Sequence, residues 1–472
     1  MSTHLFVAST AFGLSTLAAA IKDGAWAEAG QRILIISNNS TAPEATPGLL
    51  GSAGIDRLTG LFDQVYDYNE LISPLHPSEW RPTANDLPLL QRLIAGRWGL
   101  DGLELRLIVE SIQAAPALTL ARIFADAPID VYADGLMSYS PTRVGLYTQV
   151  GCRIDRLFHL DLAPTVTPLL LREWEVRPTT VEAESFRQVI TGLDVEVPKA
   201  LTAAPKGSVA VLLGQYLSAL NILTQDEEID LLRQLISRAV AAGFTTLVFK
   251  PHPSAPDQLT APLFAEAERL GADLAVHDDA DLVESWFDQP SIGLVVGCFS
   301  TALLTAATCY GLPTARVGTD LALERVRPYE NSNRIPVTLI DALVPEIGSL
   351  AEQPAQVSAT RSGPDEVPIN DLVRMVGYCM QPGRNPDLRP TTERLLSDHW
   401  ESVRGYVKRR RLTILDLPGR LPSLSKKKRR LRSKLRRAVG RILGPRISRL
   451  IGQGRRSMLR AVRPVPASAH RA

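Results

Sequence analysis

The sequence predicts an α/β protein with two doubly wound domains that face a cleft, followed by a basic amphipathic helical tail. Three observations lead to this prediction. Short apolar, β-rich runs alternate with helix-like stretches along most of the 472 residues. A proline-containing segment at residues 194–207, DVEVPKALTAAPKG, divides the alternation into two halves. Basic residues without acidic ones are concentrated at the C-terminal end.

The alternation in the first half predicts one domain over residues 1–195. Its predicted strands are HLFVAS, ILIIS, FDQVYDY and IDVYA, with RVGLYTQV at residues 143–150 as a further candidate. The apolar N-terminal run has two interpretations. One is a signal peptide that ends at the small residues AWA. The other is a buried first strand followed by a helix, which the lack of Lys and Arg before the run and the interrupting Gly13 favour.

The second half predicts another domain, over residues 205–345. Its predicted strands are SVAVLLG, TTLVF, DLAV, IGLVV and PTARVG. The first of the intervening helices begins at Thr224 as N-cap, with acids in its first turn. Because these strands are apolar without interruption, we expect a parallel sheet that is covered on both faces. Ligands of such sheets bind beyond the carboxyl ends of the strands, so the residues there are the first candidates for a site.

The C-terminal part predicts a helical crossover segment at residues 346–420 and a tail at residues 421–472. RPTTERLLSDHWESVRGYVKRRR, at residues 389–411, is predicted to be one long helix that packs back onto the two domains. From Lys426 onwards the chain has 17 Lys and Arg and no Asp or Glu, which leaves 35 bases against 50 acids elsewhere. Apolar residues recur at helical spacing in this basic stretch: Leu431, Leu435, Val439 and Ile442.

A basic amphipathic stretch of this kind is typical of binding to an anionic membrane surface. We therefore expect residues 426–463 to hold the protein on the inner face of the cell membrane, in the cytoplasm. A nucleic-acid-binding arm and a solubilising tail are the alternatives. No aromatic residue follows Tyr406, so the tail has no platform on which bases could stack, and nucleic acid is disfavoured as a partner.

The cysteine content predicts neither a disulfide framework nor a structural metal. The chain has four cysteines, at 152, 298, 309 and 379, and no two of them form a C-x-x-C pair. This spacing fits a protein of a reducing interior.

Polar residues follow four of the predicted strands of the second domain. These residues are Gly214 and Gln215, then Lys250-Pro251-His252-Pro253, then the acidic run that ends at Asp281, and then Gly297 to Thr301. A turn from strand through Ser300 and Thr301 into a helix offers backbone N–H groups, a helix dipole and hydroxyls to a phosphate. The alternative is a purely structural role, in which the hydroxyl of Ser300 or Thr301 only caps the helix.

His252 is held between two prolines, which restrict the backbone on both sides of it. An imidazole fixed in this way can bind and protonate a departing phosphate near neutral pH, and Lys250 adds a positive charge beside it. In the first domain, VYADGLMSYSP places Asp134 at a strand end on the facing rim. This carboxylate either serves as a base opposite the leaving group or belongs to a simple Asp-Gly turn.

The ordered set ADG, KPHP and CFST resembles the motifs of the bacterial α-2,8-polysialyltransferase family, whose members are sialyltransferases of GT-B type. The resemblance spans roughly residues 3–318. It implies a GT-B-like fold of two Rossmann-type domains, and an inverting transfer of sialic acid from CMP-sialic acid to a surface glycan or glycolipid. It also implies that no metal and no cofactor take part.

The resemblance further implies roles for single residues. Asp134 would be the base on the acceptor hydroxyl, and His252 would stabilise or protonate the departing CMP phosphate. The implied donor site comprises Gly214, Gln215, Lys250, Pro253, Asp281, Ser300 and Thr301. On the acceptor side of the cleft, the strand ends offer Ser9, Thr10 and Asn38.

The chain departs from the family pattern at one position. The family has two acids before the glycine of the first motif, whereas this chain has Ala133 in the first place. Either Asp134 acts from a shifted position, or a different carboxylate serves, or the enzyme is impaired.

Two other functions remain open. The CDP-glycerol glycerophosphotransferases also resemble this chain in a His-Pro and a Ser-Ser turn, but they are expected to have an acid where this chain has Gly297, Cys298 and Phe299. A non-enzymatic nucleic-acid-binding protein is the second alternative, and it leaves the residues at the strand ends unexplained.

Overall fold

A computed structural model of the chain describes residues 2–40, 43, 48–133, 135–252, 255, 259–279, 281–349 and 367–422. The chain divides into two compact units, Met1–Gly419 and Arg420–Ala472. The predicted basic tail lies outside the described residues, apart from positions 421 and 422. Asp134 and Pro253, two of the predicted site residues, also lie outside them.

The first sheet has seven parallel strands in the order β3-β2-β1-β4-β5-β6-β7. The strands are β1 Ser2–Ala8, β2 Ala29–Ile36, β3 Gln64–Asp67, β4 Leu105–Glu110, β5 Ile129–Tyr132, β6 Ile154–Leu160 and β7 Arg177–Val181. The helices of this region are α1 Ala11–Lys22, α2 Ile55–Thr59, α3 Tyr68–Ile72, α4 Leu87–Trp98, α5 Ala117–Ile123, α6 Thr148–Gly151 and α7 Ala183–Thr191. The N-terminal run is thus a buried strand near the middle of a sheet, as the second interpretation expected.

The second sheet has five parallel strands in the order β10-β9-β8-β11-β12. The strands are β8 Val209–Leu213, β9 Thr246–Lys250, β10 Asp273–Val276, β11 Ile292–Gly297 and β12 Thr314–Arg316. The helices from the linker onwards are α8 Lys199–Thr202, α9 Gln225–Ala241, α10 Ala261–Leu270, α11 Thr301–Tyr310, α12 Thr319–Arg325 and α13 Arg334–Leu343. Thr224 caps α9 and forms a reciprocal capping box with Glu227.

Two parallel sheets, each interleaved with helices, confirm the predicted α/β class with two Rossmann-type domains. The buried apolar residues form two clusters. One cluster fills a single face of the first sheet, beneath α4 and α5. The other lies on the opposite face, beneath α1, and continues without a break into the second sheet. The two domains therefore share one hydrophobic core.

The segment RVGLYTQV, a candidate strand in the sequence, is not a strand. It contains the short helix α6, and its apolar residues Val144 and Tyr147 are 48% and 59% exposed. The place beside β5 is taken instead by β6, whose residues Leu157 and Phe158 are buried against the cores of the two faces. β6 pairs with β5 because its side chains can be buried on both faces of the sheet. The alternating pattern of RVGLYTQV does not by itself indicate whether that segment is buried.

The predicted long helix at residues 389–411 is also wrong, because the structure breaks it into three. The C-terminal helices are α14 Ile369–Met380, α15 Arg389–Asp398, α16 Trp400–Val403 and α17 Arg409–Leu415. The chain leaves the helical conformation at His399 (φ −124°, ψ 33°). Past α16, the Tyr406 hydroxyl donates to Asp341 at 2.7 Å, and Val407 is buried. These tertiary contacts outweigh the helix propensity of the segment.

The C-terminal part contacts the second domain through Tyr406 and Asp341 and also reaches the first domain. The Thr167 amide donates to Asn370 of α14 at 3.1 Å, and Arg172 forms an ion pair with Asp387 at 2.6 Å. Among the described residues, no helix has both the length and the apolar character needed to cross a bilayer. Short 3₁₀ helices complete the description, at Leu49–Gly51, Gly135–Tyr139, Arg172–Trp174, Val283–Trp286, Ile347–Ser349 and Pro386–Leu388.

Candidate active site

The two predicted rims meet where the chain leaves β5 and enters α11. A Cβ atom placed on Gly135 would lie 2.7 Å from Cγ2 and 2.8 Å from Oγ1 of Thr301, which is closer than real contacts allow. Gly135 also has a φ of +56°, a conformation that favours glycine. The turn after the ADG motif of the first domain therefore packs directly on the first residue of α11 in the second domain.

The turn into α11 is held by side chains from within the second domain. The Ser300 hydroxyl accepts a hydrogen bond from the Ala302 amide at 3.3 Å, so it caps the helix. The Gln215 side chain accepts from the Phe299 amide at 3.1 Å. Gln215 thus ties the loop after β8 to the turn after β11. This arrangement leaves Thr301, at the start of the helix, facing the first domain.

Gly214 allows the loops after β8 and β9 to approach each other. A Cβ atom on Gly214 would lie 2.7 Å from Cζ of Phe249 and 3.1 Å from Cα of Pro251. The Gly214 amide donates to the Lys250 carbonyl at 2.8 Å. A side chain at this position would push against the KPHP segment that carries His252.

The imidazole of His252 packs on the ring of Tyr216, with centroids 4.2 Å apart and planes inclined by 38°. Burial, together with the positive charge of Lys250, lowers the pKa of His252 to about 4. The ring is therefore neutral near pH 7 in the free protein. An approaching phosphate would favour the charged form and raise this pKa again.

Lys250 is 6% exposed, and its ammonium group is engaged within the second domain. It donates to the Asp279 carbonyl and lies 5.6 Å from the centre of the Trp286 ring. Burial lowers the pKa of Lys250, and the neighbouring carboxylates oppose that effect, with Asp281 the strongest. Burial in turn raises the pKa of the half-buried Asp281. Lys250 therefore contributes its charge to the site while its hydrogen bond goes to the backbone.

His277, Asp279 and Asp281 are close enough together to share a cation, with their ligand atoms within 4.8 Å of one another. His277 Nε2 and Asp279 lie 3.1 Å apart. The ammonium group of Lys250 already interacts electrostatically with both carboxylates. A divalent ion would have to bind against this positive charge.

The three predicted acceptor-side residues do not form one group. Ser9, at the end of β1, donates its hydroxyl proton to the buried carboxylate of Glu110. Thr10 accepts from the Gly13 amide at 3.0 Å and caps α1. Asn38 lies two strands away from Glu110 in the sheet, where it exchanges hydrogen bonds of 2.8 and 2.9 Å with Asn69. It lines a separate cavity of about 420 Å³.

Three residues that position this site were missed in the sequence. Glu110 comes directly after the apolar run LRLIV, just as Asp134 comes after an apolar run. LRLIV is not among the strands predicted from the sequence, although it forms β4. Tyr216 directly follows Gln215 and carried no signal of its own. Glu228 looks like an acid of the first turn of α9, yet it is 1% exposed and accepts from the amides of Leu217 and Ser218 at 2.7 and 2.9 Å. It thereby orders the loop that holds Tyr216.

The similarities of this chain to known proteins differ in strength. No match was found among curated protein sequences. Solved structures with similar folds include a UDP-N-acetylglucosamine 2-epimerase from Listeria monocytogenes, with 12% identity over 81% of this chain and 97% of that one and a TM-score of 0.42. A UDP-glucosyltransferase from Polygonum tinctorium has 13% identity over 86% and 97% of the two chains, also with a TM-score of 0.42. Likenesses this loose carry no conclusion about function.

The family comparison is of a different kind, because it covers two thirds of the chain. The profile of the family described as Alpha-2,8-polysialyltransferase (POLYST) matches residues 4–319. The matched region contains both parallel sheets and all three motifs, ADG, KPHP and CFST. The chain belongs to the alpha-2,8-polysialyltransferase family and is a sialyltransferase-like glycosyltransferase.

Proposed function

We propose that the protein transfers sialic acid from CMP-sialic acid to a surface glycan or glycolipid, with inversion and without a metal ion. The contact between Gly135 and Thr301 carries this proposal. It joins the turn after β5 of the first domain to the start of α11 in the second domain, where backbone N–H groups are available to an anion. A base and a leaving-group site must face each other in this way for a direct displacement at the sugar.

The second domain supplies the groups for the donor. The N-terminus of α11 offers backbone N–H groups and the positive end of a ten-residue helix to the CMP phosphate or to the sugar carboxylate. In this proposal His252, from the loop after β9, meets the same phosphate as a neutral imidazole that donates a hydrogen bond, and it becomes a proton donor once the phosphate raises its pKa. Lys250 contributes its charge from a buried position. In this proposal Gly214, Gln215 and Asp281 shape the nucleotide pocket.

The reaction needs neither a metal nor a cofactor in this proposal. Negative charge on the leaving phosphate is met by the α11 turn, His252 and Lys250. The acidic group formed by His277, Asp279 and Asp281 is already balanced in part by Lys250, which disfavours a second cation there. Addition of a chelator is therefore expected to leave donor binding unchanged.

The basic tail is proposed to hold the enzyme on the inner face of the cell membrane. The proposal rests on the 17 basic residues and the apolar spacing of residues 426–472, which contain no acid. An enzyme that extends a lipid-linked glycan gains from binding at the surface where its acceptor is anchored. The cytoplasmic location belongs to the same proposal.

Calorimetric titration of the purified protein with CMP, CDP and UMP, without metal and with chelator, tests the donor assignment. We expect selective binding of CMP that weakens by about tenfold or more in His252→Ala, because one hydrogen bond to a charged group contributes about 1.5–3 kcal/mol. His399→Ala, between α15 and α16, serves as the matched control and should bind CMP as the wild type does.

Other outcomes of this titration contradict the proposal. Preferential binding of CDP would favour a transferase of the CDP-glycerol type. Binding that disappears with chelator would overturn metal independence. A folded protein that binds none of the three nucleotides would overturn the assignment of a cytidine donor altogether.

A further inference from the structure

We propose that Glu110 is the carboxylate that removes the proton from the acceptor hydroxyl. The inference rests on the proposed sialyl transfer and assigns its base. Glu110 is the last residue of β4, which lies between β1 and β5 in the first sheet. Its side chain is 8% exposed. Ligands of parallel sheets bind beyond the carboxyl ends of the strands, so a buried carboxylate at such an end is a candidate for a functional role.

The position of Ala133 explains why another carboxylate is needed. Ala133 is 4% exposed and belongs to the apolar cluster beneath α4 and α5. The preceding residue, Tyr132, points to the opposite face of the sheet and pairs in register with Glu110 of β4. Glu110 therefore lies one strand away from the place where the family has its first acid, on the α1 side of the sheet. Three residues past Tyr132, Gly135 touches Thr301 of the donor domain.

The carboxyl group of Glu110 lies between the end of β1 and the first turn of α1. Oε1 accepts the hydroxyl proton of Ser9, which is half-buried at the end of β1. Oε2 lies under the first turn of α1, where a Cβ atom on Gly13 would be 3.0 Å away from it. The positive end of the 12-residue helix α1 favours the charged form of the carboxyl group. Ser9 and the first turn of α1 therefore orient this carboxyl group.

Tyr132 provides a hydrogen-bond acceptor for Glu110 once that carboxyl group has taken up the proton. Its hydroxyl donates to the Val7 carbonyl at 2.7 Å, and its oxygen lies 3.3 Å from Oε2 of Glu110. Because the single hydroxyl proton goes to the shorter contact, the phenol oxygen can accept a hydrogen bond from Oε2 once Glu110 is protonated. The neutral acid formed by the reaction is thus stabilised where it arises.

The proposed step balances. The O–H bond of the acceptor breaks, and its proton goes to Glu110. The acceptor oxygen forms a bond to the anomeric carbon of sialic acid. The bond from that carbon to the phosphate oxygen breaks, and its electron pair leaves with CMP, where the donor-side groups receive the charge. Ser9 orients the carboxylate and is a positioning residue.

The test uses the Glu110→Gln variant of the full-length protein. The assay measures CMP released from CMP-sialic acid with water as the acceptor, so it needs no identified glycan. We expect Glu110→Gln to release CMP about 100-fold more slowly or worse, since a general base contributes about 10²–10⁴-fold. Its affinity for CMP and its Tm should stay close to those of the wild type. Glu104→Gln, an exposed acid just before β4, is the matched control.

Formate separates a base from a structural residue. In Glu110→Ala the lost carboxyl group leaves space for formate, and we expect added formate to restore CMP release without changing CMP affinity. A Glu110→Gln rate within threefold of the wild type would overturn the assignment, as would a loss that comes with weaker CMP binding and a lower Tm. Failure of the proposed function looks different, because then the wild type itself neither binds CMP nor releases it from CMP-sialic acid.

Discussion

The imidazole of His252 illustrates how burial and charge set the state of a single group before any ligand is present. Its pKa of about 4 in the free protein results first from burial and then from Lys250. The ring packs against Tyr216. A neutral histidine beside an anion site gains a proton when the anion arrives, because the anion stabilises the imidazolium form.

We therefore predict that CMP binding is accompanied by proton uptake. The pKa of His252 is lower in the free protein than in the complex, so the affinity for CMP rises as the pH falls through the pKa of the complex. Below about pH 6 the phosphate itself begins to lose charge, which limits the gain. Calorimetry in buffers of different ionisation enthalpy measures the uptake. His252→Asn should bind without it, and equal heats in all buffers for the wild type would contradict the prediction.

At the scale of elements, the site depends on how closely the loops after β8, β9 and β11 approach one another. Gly214 makes the first of these approaches possible, and Gln215 makes the second by bonding the Phe299 amide. Glu228, from α9, holds the loop after β8 by accepting hydrogen bonds from the backbone amides of Leu217 and Ser218. The donor site is therefore built from loops that support one another, and a change in one displaces the next.

Gly214→Ala tests this dependence. The added methyl group would meet the ring of Phe249 at 2.7 Å and the Pro251 backbone at 3.1 Å. Overpacking of this kind costs about 1–3 kcal/mol, and here it also displaces the segment that carries His252. We expect a lower free energy of unfolding in urea, and CMP binding about tenfold weaker or worse. Gly383→Ala has open space around its methyl group and should change neither quantity. A Gly214→Ala protein with unchanged CMP affinity would show that the loops do not depend on this contact.

At the scale of the whole molecule, charge is divided along the chain. From Lys426 onwards the chain has 17 basic residues and no acid, whereas the remainder has 50 acids and 35 bases. Each basic residue near an anionic lipid surface contributes about 1 kcal/mol to membrane binding. A tail of this kind therefore draws the protein to the membrane, whereas the acidic remainder of the chain is repelled by the same surface. The unit Met1–Gly419 contains both sheets and the proposed site.

Truncation after Ser425 is predicted to abolish binding to vesicles and to leave CMP binding intact. Co-sedimentation with vesicles of phosphatidylserine and phosphatidylcholine measures the first quantity, and calorimetry measures the second. The full chain should bind the anionic vesicles, release them at about 1 M salt, and ignore pure phosphatidylcholine. If the truncated protein still sediments with the vesicles, the tail is not the anchor. If the full chain prefers DNA, the nucleic-acid alternative gains instead.

Much of the architecture and part of the site were available in the sequence. Strand and helix alternate with local periodicity, and the turns after parallel strands gather at one edge, so the turns that carry Gln215, His252 and Ser300 could be predicted to lie at one edge of the second sheet. Contacts between residues that are distant in the chain could not be predicted from the sequence. The sequence showed neither that Gly135 packs on Thr301 nor that the hydrogen bond of Lys250 goes to the Asp279 backbone.

The amino-acid sequence by itself determined the alternation of strand and helix, the five strands of the second sheet and the charge of the tail, because each depends on neighbours within a few turns of chain. Tertiary structure alone decided which strand lies beside β5, that the segment at 389–411 breaks into three helices, and that Glu110 lies beside Ser9 and Tyr132. The physical reason is that burial and cross-chain hydrogen bonds choose among local patterns of similar energy.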